Sequence, residues 1–143
     1  MSQFAKFMKA NKTVKKNEFY AATKSLCDDD GEPLMWEFRH ISTAENDELR
    51  ENCTVEVPVP GRKGAFRPKV RTAKYMQSMI ARSVVFPDLF DKELQESYGV
   101  ATPEQLLTAL VDDPGEYSDL SIFVQKLNGF DISFEDEVDE AKN

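Results

Sequence analysis

Apolar residues alternate with polar ones or gather as aromatics in EFYAATKSL, LMWEFRHIS and TVEVPV, whereas from Thr72 onward they recur every third or fourth position. The first pattern suits strands, whose side chains alternate between two faces; the second suits helices that bury one stripe. Ahead of both, SQFAKFMKAN places Phe4, Phe7 and Met8 at helical spacing with lysines opposite, which predicts a short amphipathic helix that docks on the core, the favoured reading, or on a partner.

The polar run CDDDGEP separates the first two strand patterns, with Asp30 and Gly31 as turn residues, so the region reads as a β-hairpin. Leu34, Trp36, Phe38 and His40 fall on one face of its second strand. Ser42 and Glu45 match a capping box at the start of a short, mostly solvated helix in STAENDELRENC. TVEVPV predicts a third strand that Pro58 and Pro60 confine to a sheet edge or terminate. Between Pro60 and Pro68, GRKGAFR has the composition of a mobile basic loop, with Phe66 as its single large apolar side chain.

TAKYMQSMIARSVVF puts Met76, Met79, Ile80 and Val84 on one helical stripe, and Pro87 limits that helix. Asp91 caps DKELQESY, which Gly99 stops; Thr102 caps the next helix, with Pro103 at its first position and Gln105 completing a box. In DDPGEYSDLSIFVQKLNGFD, Asp113 is the expected cap, Pro114 the first helical residue and Glu116 the residue that bonds back to the cap. Tyr117, Leu120, Phe123, Val124 and Leu127 form its apolar stripe, and Gly129 supplies a left-handed stop that folds Phe130 back towards Val124. The element order predicts an α+β fold: a small antiparallel β-hairpin or sheet near the N-terminus, followed by a cluster of about four helices. One domain is expected over residues 1–131, with an acidic flexible tail at 132–143, since residues 131–143 hold six acids and one lysine.

Charge changes this picture in one respect. The net charge of −8 disfavours general attraction to nucleic acid or anionic membrane, yet residues 1–16 carry five lysines and no acid. Residues 58–74 likewise carry Arg62, Lys63, Arg67, Lys69, Arg71 and Lys74 without an acid. The sequence has no apolar run of membrane-spanning length and no signal-peptide pattern, and Cys27 and Cys53 have no CxxC spacing; the expectation is two reduced thiols in a cytoplasmic protein.

Candidate chemistry is sparse. His40, the single histidine, falls among the aromatics of a strand, where a structural role is expected. None of the familiar nucleophile, zinc, phosphate-loop or dinucleotide motifs occurs, so no catalytic, metal or cofactor residue is assigned. Aligning Gly31 with the glycine of a calcium loop places Leu26 where the first acidic ligand belongs, and turn chemistry accounts for Asp30 and Gly31 instead. The basic segment 58–74 suits phosphate contacts with Phe66 stacking on a base, or an acidic protein partner; the overall negative charge favours the protein. The residues point to an interaction protein rather than an enzyme.

The pieces GEPLMWEFRHIS, VFPDLFDKELQESYGV and DPGEYSDLSIFVQKLNGFD, in this order, resemble the phage XkdN-like tail assembly chaperones, from about residue 4 to residue 131. The resemblance implies a non-catalytic protein of the host cytoplasm, absent from the mature virion. It also implies binding to the tape measure protein, with assistance to tail tube subunits assembling around it. Self-association stays open, as does a structural tail component retained in the virion; a nucleic-acid-binding regulator using residues 58–74 is a further alternative. The family brings no catalytic motif and no cofactor. The residues expected to contact a partner are Phe4, Phe7, Arg62, Lys63, Phe66 and Arg67, because the core does not plainly require them.

Overall fold

The computed structural model describes residues 2–131. A three-stranded antiparallel sheet is built from β1 (Glu18–Tyr20), β2 (Trp36–Phe38) and β5 (Val84–Phe86), with β2 in the centre. Between β2 and β5 in the chain come α1 (Thr43–Asn52), β3 (Thr54–Pro58), β4 (Phe66–Val70) and α2 (Thr72–Ser83). After β5 follow α3 (Lys92–Ser97), α4 (Pro103–Leu110) and α5 (Pro114–Leu127). The fold is α+β, with the small sheet and the helices sharing one core.

That core lies between the inner face of the sheet and the helices gathered around α2. Trp36 and Phe38 point inward from β2, and Met79, Ile80, Leu106, Leu107, Leu120 and Val124 meet them from α2, α4 and α5. All eight are at most 2% exposed, so the two stripes read from periodicity, on α2 and α5, face the core, joined there by Leu106 and Leu107 of α4. Tyr20 stacks on Phe123 at 4.3 Å between centroids, and Phe38 meets the edge of the same ring at 5.1 Å, joining both strands to α5. Burial raises the Tyr20 hydroxyl above its ordinary pKa, with Asp119 and Glu116 adding to the effect.

Four expectations change. The N-terminal amphipathic helix is replaced by two short 3₁₀ turns, Ala5–Phe7 and Lys9–Asn11, neither of which buries a residue; Phe4, Phe7 and Met8 are exposed rather than docked on the core. A segment this short is below the length at which a helix survives without tertiary support. Leu34, expected beside Trp36 and Phe38, is exposed, because β2 begins only at Trp36. The third strand of the sheet is β5, which had the period of a helix end; α2 stops at Ser83, where β-branched Val84 and Val85 favour extended backbone ahead of Pro87. The expected edge strand, β3, pairs instead with β4 in a separate two-stranded ribbon, so the end of the expected mobile loop, from Phe66, is strand and the rest is the turn that joins the pair.

The caps mostly follow the sequence. Ser42 and Glu45 complete the capping box of α1, and Asp91, Thr102 and Asp113 each accept a backbone N–H at the start of α3, α4 and α5. Gln105 accepts from the Ala101 N–H rather than from the cap residue itself. Glu116 does not bond back to Asp113: its two carboxylate oxygens accept from Thr23 Oγ1 at 2.7 Å and the Lys24 N–H at 2.8 Å. The residue thus ties α5 to the loop after β1. At the other end of α5, Gly129 has φ +84° and the Phe130 N–H donates to the Gln125 carbonyl, the reverse turn that ends the helix. The acidic segment 132–143 lies outside the described residues.

Candidate protein-binding surfaces

The β3–β4 ribbon is a local product of its own sequence. Val55 and Val57 oppose Lys69 and Arg67, Pro58 opposes Phe66, and the strand ends are joined by a turn in which the Val59 N–H donates to the Ala65 carbonyl. Gly61 and Gly64 take φ of +77° and +80° in that turn, a conformation that residues with a Cβ adopt at a cost. The root of the ribbon is fixed: the Arg71 N–H donates to the Cys53 carbonyl at 2.8 Å, and Cys53 is buried.

No ribbon residue is buried. Phe66 is 61% exposed, and Arg62, Lys63 and Arg67 are exposed around it. Among the described residues the salt bridges are those of Glu45 with Arg39 and Arg82, so none of the six cations of 58–74 is paired there. Of the expected contact residues, the structure therefore brings Arg62, Lys63, Phe66 and Arg67 together on one ribbon. Phe4 and Phe7 sit apart on the N-terminal turns, at 59% and 84% exposure.

Two further surfaces escaped the pattern-based reading. Glu37 is the cross-strand partner of both Phe19 and Phe86, so these two exposed phenylalanines flank it on the outer face of the sheet. The signal in the sequence was phase: Phe19 precedes inward-facing Tyr20, as Glu37 precedes inward-facing Phe38. Beside the ribbon, a groove of about 480 Å³ opens between it and the first turn of α2, floored by Val55, Val57, Val70 and Ala73 and edged by Lys69, Arg71 and Lys74. The first turn of α2 has neither a side-chain cap nor an acid, which leaves its positive end uncompensated.

The enclosed spaces offer little chemistry. A cleft of about 110 Å³ lies among His40, Ile41, Ser42, Asn46, Asn128 and Phe130. His40 is half-buried there, and burial, then Lys15, holds its pKa below the ordinary value against the pull of Glu45. Asn128 structures the cleft: its Oδ1 accepts the Ile41 N–H at 2.8 Å, and its Nδ2 donates to Ser83 Oγ and the Val124 carbonyl. Asp28 organises the DDDGE turn by accepting the N–H groups of Asp30 and Glu32 on one oxygen. Among the described residues no group of three or more histidine, cysteine, aspartate or glutamate side chains is placed to hold a metal.

Comparison with known proteins assigns the chain to a family. The sequence profile described as phage XkdN-like tail assembly chaperone protein matches residues 4–142. The chain belongs to the XkdN-like tail assembly chaperone family. Among relatives, the phage-like element PBSX protein XkdN of Bacillus subtilis strain 168 is 30% identical over 139 residues, covering 96% of this chain and 92% of XkdN. The uncharacterised protein YqbN of the same strain is 28% identical over 121 residues, covering 85% of this chain and 80% of YqbN. A crystal structure of YqbN superimposes with a TM-score of 0.75 at 21% identity, covering 92% of this chain and 99% of that one, and so shares its fold. The family description is that of an assembly chaperone, a non-enzymatic role, with phage tail proteins as the implied class of partner. Among the described residues no helix is long and apolar enough to cross a membrane.

Proposed function

We propose that this family member is a non-catalytic chaperone of the host cytoplasm that binds the tape measure protein and assists tail tube subunits in assembling around it. The observation that carries the reading is the exposed tip of the β3–β4 ribbon, which offers Phe66 beside Arg62, Lys63 and Arg67 on a member of a tail assembly chaperone family. An aromatic anchor beside exposed cations suits a partially folded client with apolar and acidic stretches. Phe4 and Phe7 supply a second, smaller contact. The rest of the protein, which holds the acids, keeps the loaded complex soluble by net charge.

Co-expression with the tape measure protein encoded in the same tail operon tests this. The expected result is more soluble tape measure protein and a recoverable complex, both lost on combining Arg62→Glu, Lys63→Glu, Phe66→Ala and Arg67→Glu. Unchanged tape measure solubility, with no complex, overturns the reading. Detection of the protein by mass spectrometry in purified virions would make it a retained tail component instead.

A further inference from the structure

The groove beside the ribbon has an apolar floor, a cationic rim and no acidic residue in its lining. The chain contains one segment outside the described residues with the complementary composition. Residues 132–143, ISFEDEVDEAKN, carry Ile132, Phe134 and Val138 interleaved with Glu135, Asp136, Glu137, Asp139 and Glu140. Apolar side chains spaced among carboxylates are what such a groove can bury and pair at once. A nucleic-acid backbone would satisfy the rim but leave the valine floor uncovered.

Phe130, just before the segment begins, lines the same cleft as Asn46 of α1. Asn46 Oδ1 accepts from the Tyr75 hydroxyl of α2, and the Tyr75 N–H donates to the Arg71 carbonyl at 2.9 Å. The cleft at the start of the segment is thus linked to the rim through Asn46 of α1 and Tyr75 of α2. The segment's twelve residues reach up to about 40 Å when extended, against about 15 Å for the whole length of α1.

We propose that residues 132–143 dock in the groove of their own chain, with apolar side chains over Val55, Val57 and Ala73 and carboxylates against Lys69, Arg71 and Lys74. The contact covers the root of the ribbon and neutralises the surface next to Arg67, so a partner reaching that root must displace it. The inference does not depend on which client the ribbon binds.

The test uses the full chain with a nitroxide at its C-terminus, placed by Asn143→Cys in a Cys27→Ser background, since Cys53 is buried and does not label. Paramagnetic broadening is expected at the amides of Val55, Lys69, Arg71 and Ala73, and it should be lost in Lys69→Glu/Arg71→Glu/Lys74→Glu while the core amides keep their shifts. Raising the salt concentration should relieve it as well, because the paired groups lie at the surface. Intensities unchanged by the label, or broadening that survives the charge reversal, overturn the proposal. Broadening seen only when spin-labelled protein is mixed with unlabelled isotopic protein overturns it too, by assigning the contact to a second copy.

Discussion

The two β-structures of this protein are held in opposite ways. The β1–β2–β5 sheet is assembled from strands far apart in sequence and lives on what it buries: Trp36 and Phe38 are inaccessible, and every strand contributes to a core shared with α2, α4 and α5. The β3–β4 ribbon is formed by neighbouring strands and buries nothing, and it is held by its cross-strand pairing and by its attachment at Cys53 and Arg71. An isolated two-stranded ribbon is at best marginally stable in water, so its persistence depends on the body to which it is tethered. The lesson is a division of labour. Side chains on the inner face of the sheet are committed to stability, while those of the ribbon remain available to a partner.

The largest effect that sharpens this contrast is in the body. Phe38→Ala removes a fully buried ring that touches Tyr20, Trp36 and Phe123 and is expected to cost about 3–5 kcal/mol in denaturant unfolding. A loss below 1 kcal/mol would mean that the sheet is no better supported than the ribbon. Next comes Asn128→Ala, which strips the buried Ile41 N–H of its acceptor and removes two donated bonds at the junction of α2 and α5. About 2 kcal/mol of destabilisation is expected by the same measurement, since it leaves buried polar groups unpaired.

A smaller effect is set by pH. Glu45 accepts two bonds from Arg39 and lies 3.5 Å from Arg82; these partners, Arg39 first, hold its pKa down from 4.5 to about 2. Because the folded value lies below the unfolded one, the contribution is present above pH 4.5 and is lost as pH falls towards 2. The side chains are a quarter to a third exposed, so solvent screening reduces it to about 1 kcal/mol. Unfolding curves of the wild type and of Glu45→Gln should therefore converge at acid pH, and a constant gap down to pH 2 would rule out this ion pair as its source. The smallest expected change is at the ribbon tip. Phe66→Ala with Arg67→Glu should alter stability by less than about 0.5 kcal/mol, because neither side chain is buried. A clear drop in melting temperature would show that the ribbon tip serves the fold.

Helices, caps and stripes were legible along the chain because they depend on residues within one or two turns. Asp91, Thr102 and Asp113 cap where their spacing puts them, and Leu120 and Val124 face the core as their period requires. The contact candidates were legible less directly. Phe66 and its cations stood out by charge, but a strand was hidden in FRPKV, where Pro68 and the basic residues argued for a loop. Glu116 shows the limit most plainly: the spacing of a capping box was present, yet Thr23 and Lys24, more than ninety positions away, offered the carboxylate stronger partners.

The sequence by itself determined where α1, α3, α4 and α5 begin, which helical faces are apolar, and where positive charge is concentrated, since each follows from short-range sterics, hydrogen bonding and composition. It also carried the motifs of the family. Tertiary structure alone decided that Val84–Phe86 completes the sheet, that β3 turns away to pair with β4, and that Phe19 and Phe86 share an outer face. Strand partners are chosen by non-local hydrogen bonding and shared burial, which no local period records.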